Sequence, residues 1–206
     1  MGLSAAELFD ELGKDYEIAY AGYTARREEL DWLLDELPAG ARVLDIGSGT
    51  GRPAAELLAA AGHEVTGYDV SPHMVEIARA QVPGARFEVA DLRTLAFPAG
   101  SWDAVVAFFS LLQVPRAEID AALVRFAEWL KPGGIFLFAT VPADIENLEI
   151  EFMGKKAVVS SYPQEVFRAR LAGVGLEVVR DRIAEFLPTH ASAGSEHNLF
   201  LAARKP

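Results

Sequence analysis

Apolar positions change their period along the chain, and each change marks an element. Leu30, Leu33, Leu34 and Leu37 stand at i, i+3, i+4 and i+7, which predicts a helix over 24–37 with that face in a core. Ile119, Leu123, Phe126 and Leu130 repeat the pattern in a helix over 116–130, and good helix formers predict others over 4–21, 53–61 and 164–172. Runs at 42–46, 64–68, 86–90, 102–108 and 135–141 are too short for helices, carry branched or aromatic residues and are bounded by turn residues, so they read as strands. Two more strands are predicted at 176–180 and 198–203. In 147–152 Leu148, Ile150 and Phe152 alternate with polar residues, the period of a half-exposed strand, and Gly154-Lys155-Lys156 can turn it into 157–162 as a hairpin.

The first of these strands ends in the most informative stretch, Val43-Leu44-Asp45-Ile46-Gly47-Ser48-Gly49-Thr50-Gly51. Glycines at alternate positions allow positive φ and close approach of a ligand to the backbone. Asp45 would be costly inside a strand if unpaired, and suits an ammonium or a donor-rich ligand. A phosphate-cradling P-loop requires Lys-Ser/Thr after its last glycine, which this loop lacks. The dinucleotide pattern places its third glycine sixth, where this chain has Arg52. Asp69 and Asp91 follow the next two strands, so three acids collect at the C-terminal edge of a parallel sheet, where such folds bind ligands. Asp69 also lies at the interval from Gly47 at which a carboxylate captures neighbouring ribose hydroxyls.

These residues resemble the class I S-adenosylmethionine-dependent methyltransferases. The resemblance rests on 43–51, on Asp69-Val70-Ser71-Pro72-His73-Met74, on Ala90-Asp91-Leu92 and on Leu130-Lys131-Pro132-Gly133-Gly134, and runs from about Tyr16 to the C-terminus. It implies a Rossmann-like, doubly wound α/β fold, with a seven-stranded, mostly parallel sheet, helices on both faces and an antiparallel last strand. It also implies S-adenosylmethionine as cofactor. Asp45, Gly47 and Gly49, with Ser48 between the glycines, would then hold the methionine moiety, and Asp69 the ribose. Val70 and Met74 would face the adenine, Asp91 its amino group, and Leu92 would offer its backbone amide. Tyr16 would close over the cofactor from an N-terminal lid, and Phe108, with Phe109 and Ser110, would face cofactor and acceptor. Gln113 stands near a point where many small-molecule members carry a histidine.

Composition narrows the partners. A net charge of −11 argues against nucleic acid, whose binders carry basic stripes. The absence of cysteine excludes disulfides, thiolate metal sites and a thiol nucleophile, and permits a reducing cytoplasm. His63, His73, His190 and His197, with Asp144, Glu146, Glu149 and Glu151, show no metal-ligand spacing. The N-terminus has no basic region followed by an apolar core, Ala6 breaks the myristoylation pattern, and no apolar run is long enough to span a bilayer.

The expected organisation is a single domain of 206 residues: N-terminal helices at 1–37, a cofactor-binding core at 38–141, a flap at 142–162 that completes the substrate pocket, and a C-terminal helix and strand pair at 163–206. Residues 188–196 read as a mobile loop whose His190, like the neighbouring His197, could serve as a base if folded over the pocket. No acid–base pair stands out, which favours methyl transfer to a small molecule by proximity and orientation. An oxidoreductase using a nicotinamide cofactor, and a protein of the same fold with a cyclase or binding role, are the alternatives.

Overall fold

The computed structural model describes residues 3–191 and 194–206, so the very start of the chain and the middle of the 188–196 loop lie outside the described residues. The helices are α1 (Ala5–Leu12), α2 (Lys14–Tyr20), α3 (Thr24–Glu36), α4 (Ala54–Ala60), α5 (Pro72–Gln81), α6 (Arg116–Trp129) and α7 (Gln164–Gly173). The strands are β1 (Arg42–Ile46), β2 (Glu64–Asp69), β3 (Arg86–Val89), β4 (Trp102–Phe108), β5 (Leu130–Thr140), β6 (Ile145–Phe152), β7 (Lys155–Ser161), β8 (Glu177–Phe186) and β9 (Glu196–Arg204).

Seven strands form one sheet in the order β3-β2-β1-β4-β5-β9-β8, and β6 and β7 form a separate pair. β1 pairs in parallel with β2 and β4, while β9 runs antiparallel to both β5 and β8. The chain order reverses between β1 and β4, which opens a crevice at the C-terminal ends of these strands. The core lies in two layers. Leu44, Phe126, Phe136 and Phe138 pack on one side of the sheet, and Leu30, Leu33, Val43 and Leu58 on the other. This is the mostly parallel, seven-stranded α/β arrangement that the sequence implied.

Three elements differ from the sequence reading. The helix expected over 4–21 is broken at Gly13, whose φ of +48° no helical residue adopts. Strand β8 runs on to Phe186 rather than stopping at Arg180, although Asp181 and Arg182 interrupt its apolar pattern. Both side chains find ion partners: Arg182 and Arg180 hold Glu29 of α3, and Arg168 holds Asp181. The turn expected at 132–134 is drawn into the start of β5 across an irregularity opposite Trp102.

The β6–β7 hairpin also departs from its expected role. None of its described residues lines the large cavity described below. Ala157, Ile150 and Phe152 pack instead on Leu8, Leu12 and Tyr16, so the hairpin backs the N-terminal helices from behind. Its alternation is real, but the side it buries faces α1.

Candidate functional site

A cavity of about 690 Å3 opens at the C-terminal edge of β1, β2 and β4 and is roofed by α1, α2 and the start of α3. All eleven residues singled out from the sequence line it: Tyr16, Asp45, Gly47, Ser48, Gly49, Asp69, Val70, Met74, Asp91, Leu92 and Phe108.

The glycine loop builds its floor. Gly47 and Ser48 donate their amides to Tyr68 O, at 2.7 and 3.0 Å, which stitches the turn to the end of β2. Gly47 has φ +70° and packs so tightly that an added Cβ would come within 2.2 Å of Ser110 Cβ. At Gly49, with φ +52°, a Cβ would meet nothing within 4 Å, so the backbone is bare toward open space.

Asp69, 8% exposed at the end of β2, accepts the Gly49 amide at 2.8 Å on one oxygen and the Ser71 amide at 2.9 Å on the other. A carboxylate has about four lone-pair sites, so acceptor capacity remains on each oxygen. Burial holds its carboxyl above the ordinary range against the lowering effect of the amides. Asp45 is 3% exposed, and its Oδ2 has no hydrogen-bond partner among the described residues. Burial first, and the charge of Asp69 second, push its carboxyl up to about 7. Two buried acids thus face one cavity with no basic side chain in ion-pair contact with either among the described residues, an arrangement that favours a cationic, donor-rich ligand.

Asp91 lies just past β3, and Arg93 Nε reaches its two oxygens at 2.9 and 3.0 Å. That pairing lowers its carboxyl below the usual range, so it meets the cavity as an ion pair. Met74 is fully buried in the first turn of α5, where the Ser71 hydroxyl caps its amide at 3.0 Å. The same hydroxyl donates to Asp10 of α1 at 2.6 Å, and Asp10 also accepts the His73 amide at 3.1 Å. Glu17 of α2 accepts from Gln81 at 2.9 Å. These contacts tether the roof to the floor.

Aromatic side chains form the roof. Tyr16 stands 5.4 Å from Phe9 and 4.9 Å from Tyr20 between ring centroids. Tyr20 donates its hydroxyl to Glu196 at 2.6 Å, and burial together with that bond raises its phenol. Phe109, after β4, holds φ +61°, a strained position for an aromatic residue of the kind that persists where the surroundings enforce it. Phe108, Phe109, Ser110 and Gln113 all reach the cavity.

Neither His190 nor His197 lines the cavity, and His197 is exposed on β9. His63 is structural: its Nδ1 accepts the Ala41 amide at 3.1 Å, and burial lowers its proton affinity. Among the described residues no three acids or histidines gather as a metal would require, and no helix is long and apolar enough to cross a membrane.

The sequence reading missed Arg26. It sits in the roof of the cavity at 6% exposure, among Tyr16, Tyr20, Tyr23 and Phe109. The signal was present, since Arg26 stands four and seven residues before Leu30 and Leu33, on the apolar stripe of the same helix.

Residues 43–134 match the family model described as a methyltransferase domain. The 27-O-demethylrifamycin SV methyltransferase of Amycolatopsis mediterranei is 35% identical over 161 residues, which cover 71% of this chain and 58% of that protein. The chain spans between about a third and just over half of the length of the first three curated relatives it matches. Among solved structures, the Burkholderia thailandensis 1,6-didemethyltoxoflavin-N1-methyltransferase, with 1,6-didemethyltoxoflavin and S-adenosylhomocysteine bound, superposes with TM-score 0.73 at 22% identity, over 97% of this chain and 86% of that one. The cyclase SpnF superposes with TM-score 0.74 at 22% identity, over 100% of this chain and 99% of the other.

Proposed function

We propose that this chain, which belongs to the class I S-adenosylmethionine-dependent methyltransferases, transfers a methyl group from S-adenosylmethionine to a small molecule held under its N-terminal helices. The observation that carries the reading is the pair of buried acids, Asp45 and Asp69, at the edge of a cavity floored by glycines.

The residues present fit this cofactor. Its ammonium would meet the unpartnered oxygen of Asp45 and relieve the repulsion between the two acids. Its ribose hydroxyls would find the remaining lone pairs of Asp69. The bare backbone at Gly49 lets the ligand lie close, and Val70, Met74 and Leu92 offer apolar contact to a base beside Asp91. When bound, the cofactor supplies a methyl group already activated on a sulfonium.

The chain's own contribution is then to hold the acceptor in line and keep water out. Tyr16, Tyr20, Tyr23 and Phe109 supply flat apolar walls for that purpose, and α1 and α2 act as the lid. With no histidine on the cavity wall, positioning carries most of the rate. A small acceptor is supported by the net charge of −11, by the cavity volume of about 690 Å3, and by the 27-O-demethylrifamycin SV in the name of the Amycolatopsis relative.

The test is methyl transfer from isotopically labelled S-adenosylmethionine into a pool of small metabolites, read by mass spectrometry, beside thermal shifts with S-adenosylhomocysteine and with NAD. The expected result is stabilisation by the first ligand alone and a labelled product one methyl heavier. Stabilisation by NAD alone would mark an oxidoreductase. Tight binding of S-adenosylhomocysteine with no labelled product from any pool would move the reading to a non-methylating use of the fold.

A further inference from the structure

Tyr20 lines the cavity, and behind it stands an acid that does not. The Tyr20 hydroxyl donates to Glu196 Oε1 at 2.6 Å, the length of a hydroxyl bonded to an ionised carboxylate. Asn198, fully buried on β9, donates its side-chain amide to Oε2 at 3.3 Å and so fixes how that carboxylate is turned. Glu196 is only partly buried, so the pair joins the cavity wall at one end to solvent at the other. Around it stand Tyr16 of α2, Arg26 and Tyr23 of α3, and Glu185 and His197, which lie opposite each other on β8 and β9; His190 lies in the loop before β9. Burial, then the bond to Glu196, holds the Tyr20 phenol above its ordinary range, so it acts by passing a proton on rather than by losing one. A neutral acceptor would tie the roof to β9 without the cost of desolvating a charge, so the carboxylate points to a use beyond the tie.

We infer that Tyr20 and Glu196 form a proton exit for the cavity, and that the methyl acceptor is a phenolic hydroxyl seated against the Tyr20 oxygen. The inference rests on the methyltransferase reading and adds to it the atom methylated. A hydroxyl is the acceptor that gains from an exit, because it is a weak nucleophile until its proton leaves, whereas a neutral amine already has a free lone pair. A flat ring also suits walls made of Tyr16, Tyr23 and Phe109. As the acceptor oxygen forms its bond to the methyl carbon, the carbon–sulfur bond breaks and its electron pair goes to sulfur. The acceptor's proton passes to the Tyr20 oxygen, the Tyr20 proton passes to Glu196 Oε1, and Glu196 releases it to solvent. The charge lost from the sulfonium is the charge of that released proton, and no further reactant is needed.

Methyl transfer from labelled S-adenosylmethionine to 4-methylphenol and to 4-nitrophenol at pH 8 reads the exit in the native protein, Glu196→Gln and Tyr20→Phe, beside a thermal shift with S-adenosylhomocysteine on each. At this pH 4-methylphenol keeps its proton and 4-nitrophenol has mostly lost it. Glu196→Gln still accepts the Tyr20 hydroxyl but cannot take its proton. In both variants kcat/KM for 4-methylphenol should fall by about a hundredfold or more, the usual worth of a general base, through kcat rather than KM. The rate with 4-nitrophenol and the thermal shift should stay close to native. In Glu196→Gln the 4-methylphenol rate should climb between pH 7 and pH 9, where that of the native protein is flat, because only bulk base is left to take the proton. Should Tyr20→Phe not fold, Glu196→Gln, at a partly exposed position, carries the test alone.

Equal losses on the two phenols, or no loss on either, overturn the exit and leave the pair a tie between the roof and β9. A native protein that is stabilised by S-adenosylhomocysteine and methylates neither phenol overturns it as well. One that S-adenosylhomocysteine does not stabilise defeats the methyltransferase reading instead.

Discussion

Asp45→Asn tests the electrostatic core of the site, because the substitution removes the charge and keeps the shape. The Asp45 carboxyl titrates near 7 rather than near 3.8, a rise of about three units caused by complete burial and by Asp69. At about 1.4 kcal/mol per unit, ionising it in the folded, ligand-free protein costs roughly 4 kcal/mol more than in the unfolded chain. The sign follows from the raised value. The stabilising contribution is complete below about pH 4 and is lost as pH rises through about 7. Ligand-free native protein should therefore lose several degrees of melting temperature between pH 5 and pH 8 that Asp45→Asn does not lose, at about 2–4 °C per kcal/mol for a chain of this size. Binding runs the other way. An ammonium requires the carboxylate, so S-adenosylhomocysteine should bind the native protein more tightly at pH 8 than at pH 5.5. The variant should be weaker at pH 8 by about tenfold or more, and flat with pH. Differential scanning fluorimetry and calorimetry on the two proteins, at matched ionic strength, read both halves. A variant that binds like the native protein at pH 8, or that shows the same loss of melting temperature with pH, refutes the argument.

Gly47→Ala meets Ser110 Cβ at 2.2 Å in a left-handed backbone and should lose more than about 2 kcal/mol in urea unfolding. Gly49→Ala meets nothing, so it should lose only about 1 kcal/mol while its affinity for S-adenosylhomocysteine falls at least as far; equal stability losses for the two would contradict this contrast. Asp69→Asn leaves a side chain that can serve only one of the Gly49 and Ser71 amides as acceptor, and calorimetry should show an adenosine affinity reduced by about tenfold or more. Glu29→Ala takes the carboxylate from Arg180, while Arg182 keeps Glu28, and because both arginines are about a third exposed it should cost about 1.5–3 kcal/mol, read as a lower urea midpoint with unchanged slope. Ala157→Asp places a charge between Leu8 and Leu12, so limited proteolysis should cut the first 25 or so residues faster than in the native protein; unchanged cleavage would mean that the hairpin does not hold the roof.

What the sequence revealed of this site divides by how local its cause is. The floor was legible because each part is encoded within a few residues. Glycines permit the positive φ of the loop, an acid ends a run of branched apolar residues, and Ser71-Pro72 opens a helix whose first turn carries Met74. The roof was legible only in part, in Tyr16 and the aromatic residues after β4, because its remaining contacts join residues far apart: Tyr20 meets Glu196 across 176 positions, as behind it Arg180 meets Glu29 across 151. No period records such pairs. The same reason explains β8, where Asp181 and Arg182 look like the end of a strand until Arg168 and Glu29 are seen beside them. It explains the hairpin as well, because alternation shows that one face is buried and cannot say against which helix. Arg26 is the instructive case between the two. Its place on the apolar stripe of α3 was readable, and a charged residue there requires a partner; among the described residues that surrounding is a set of aromatic rings and the Tyr16 hydroxyl rather than an ion-paired acid. The floor therefore reflects chemistry written in local pattern, whereas the roof is built from long-range contacts that no local pattern records, and an acceptor of the kind proposed above would be selected there.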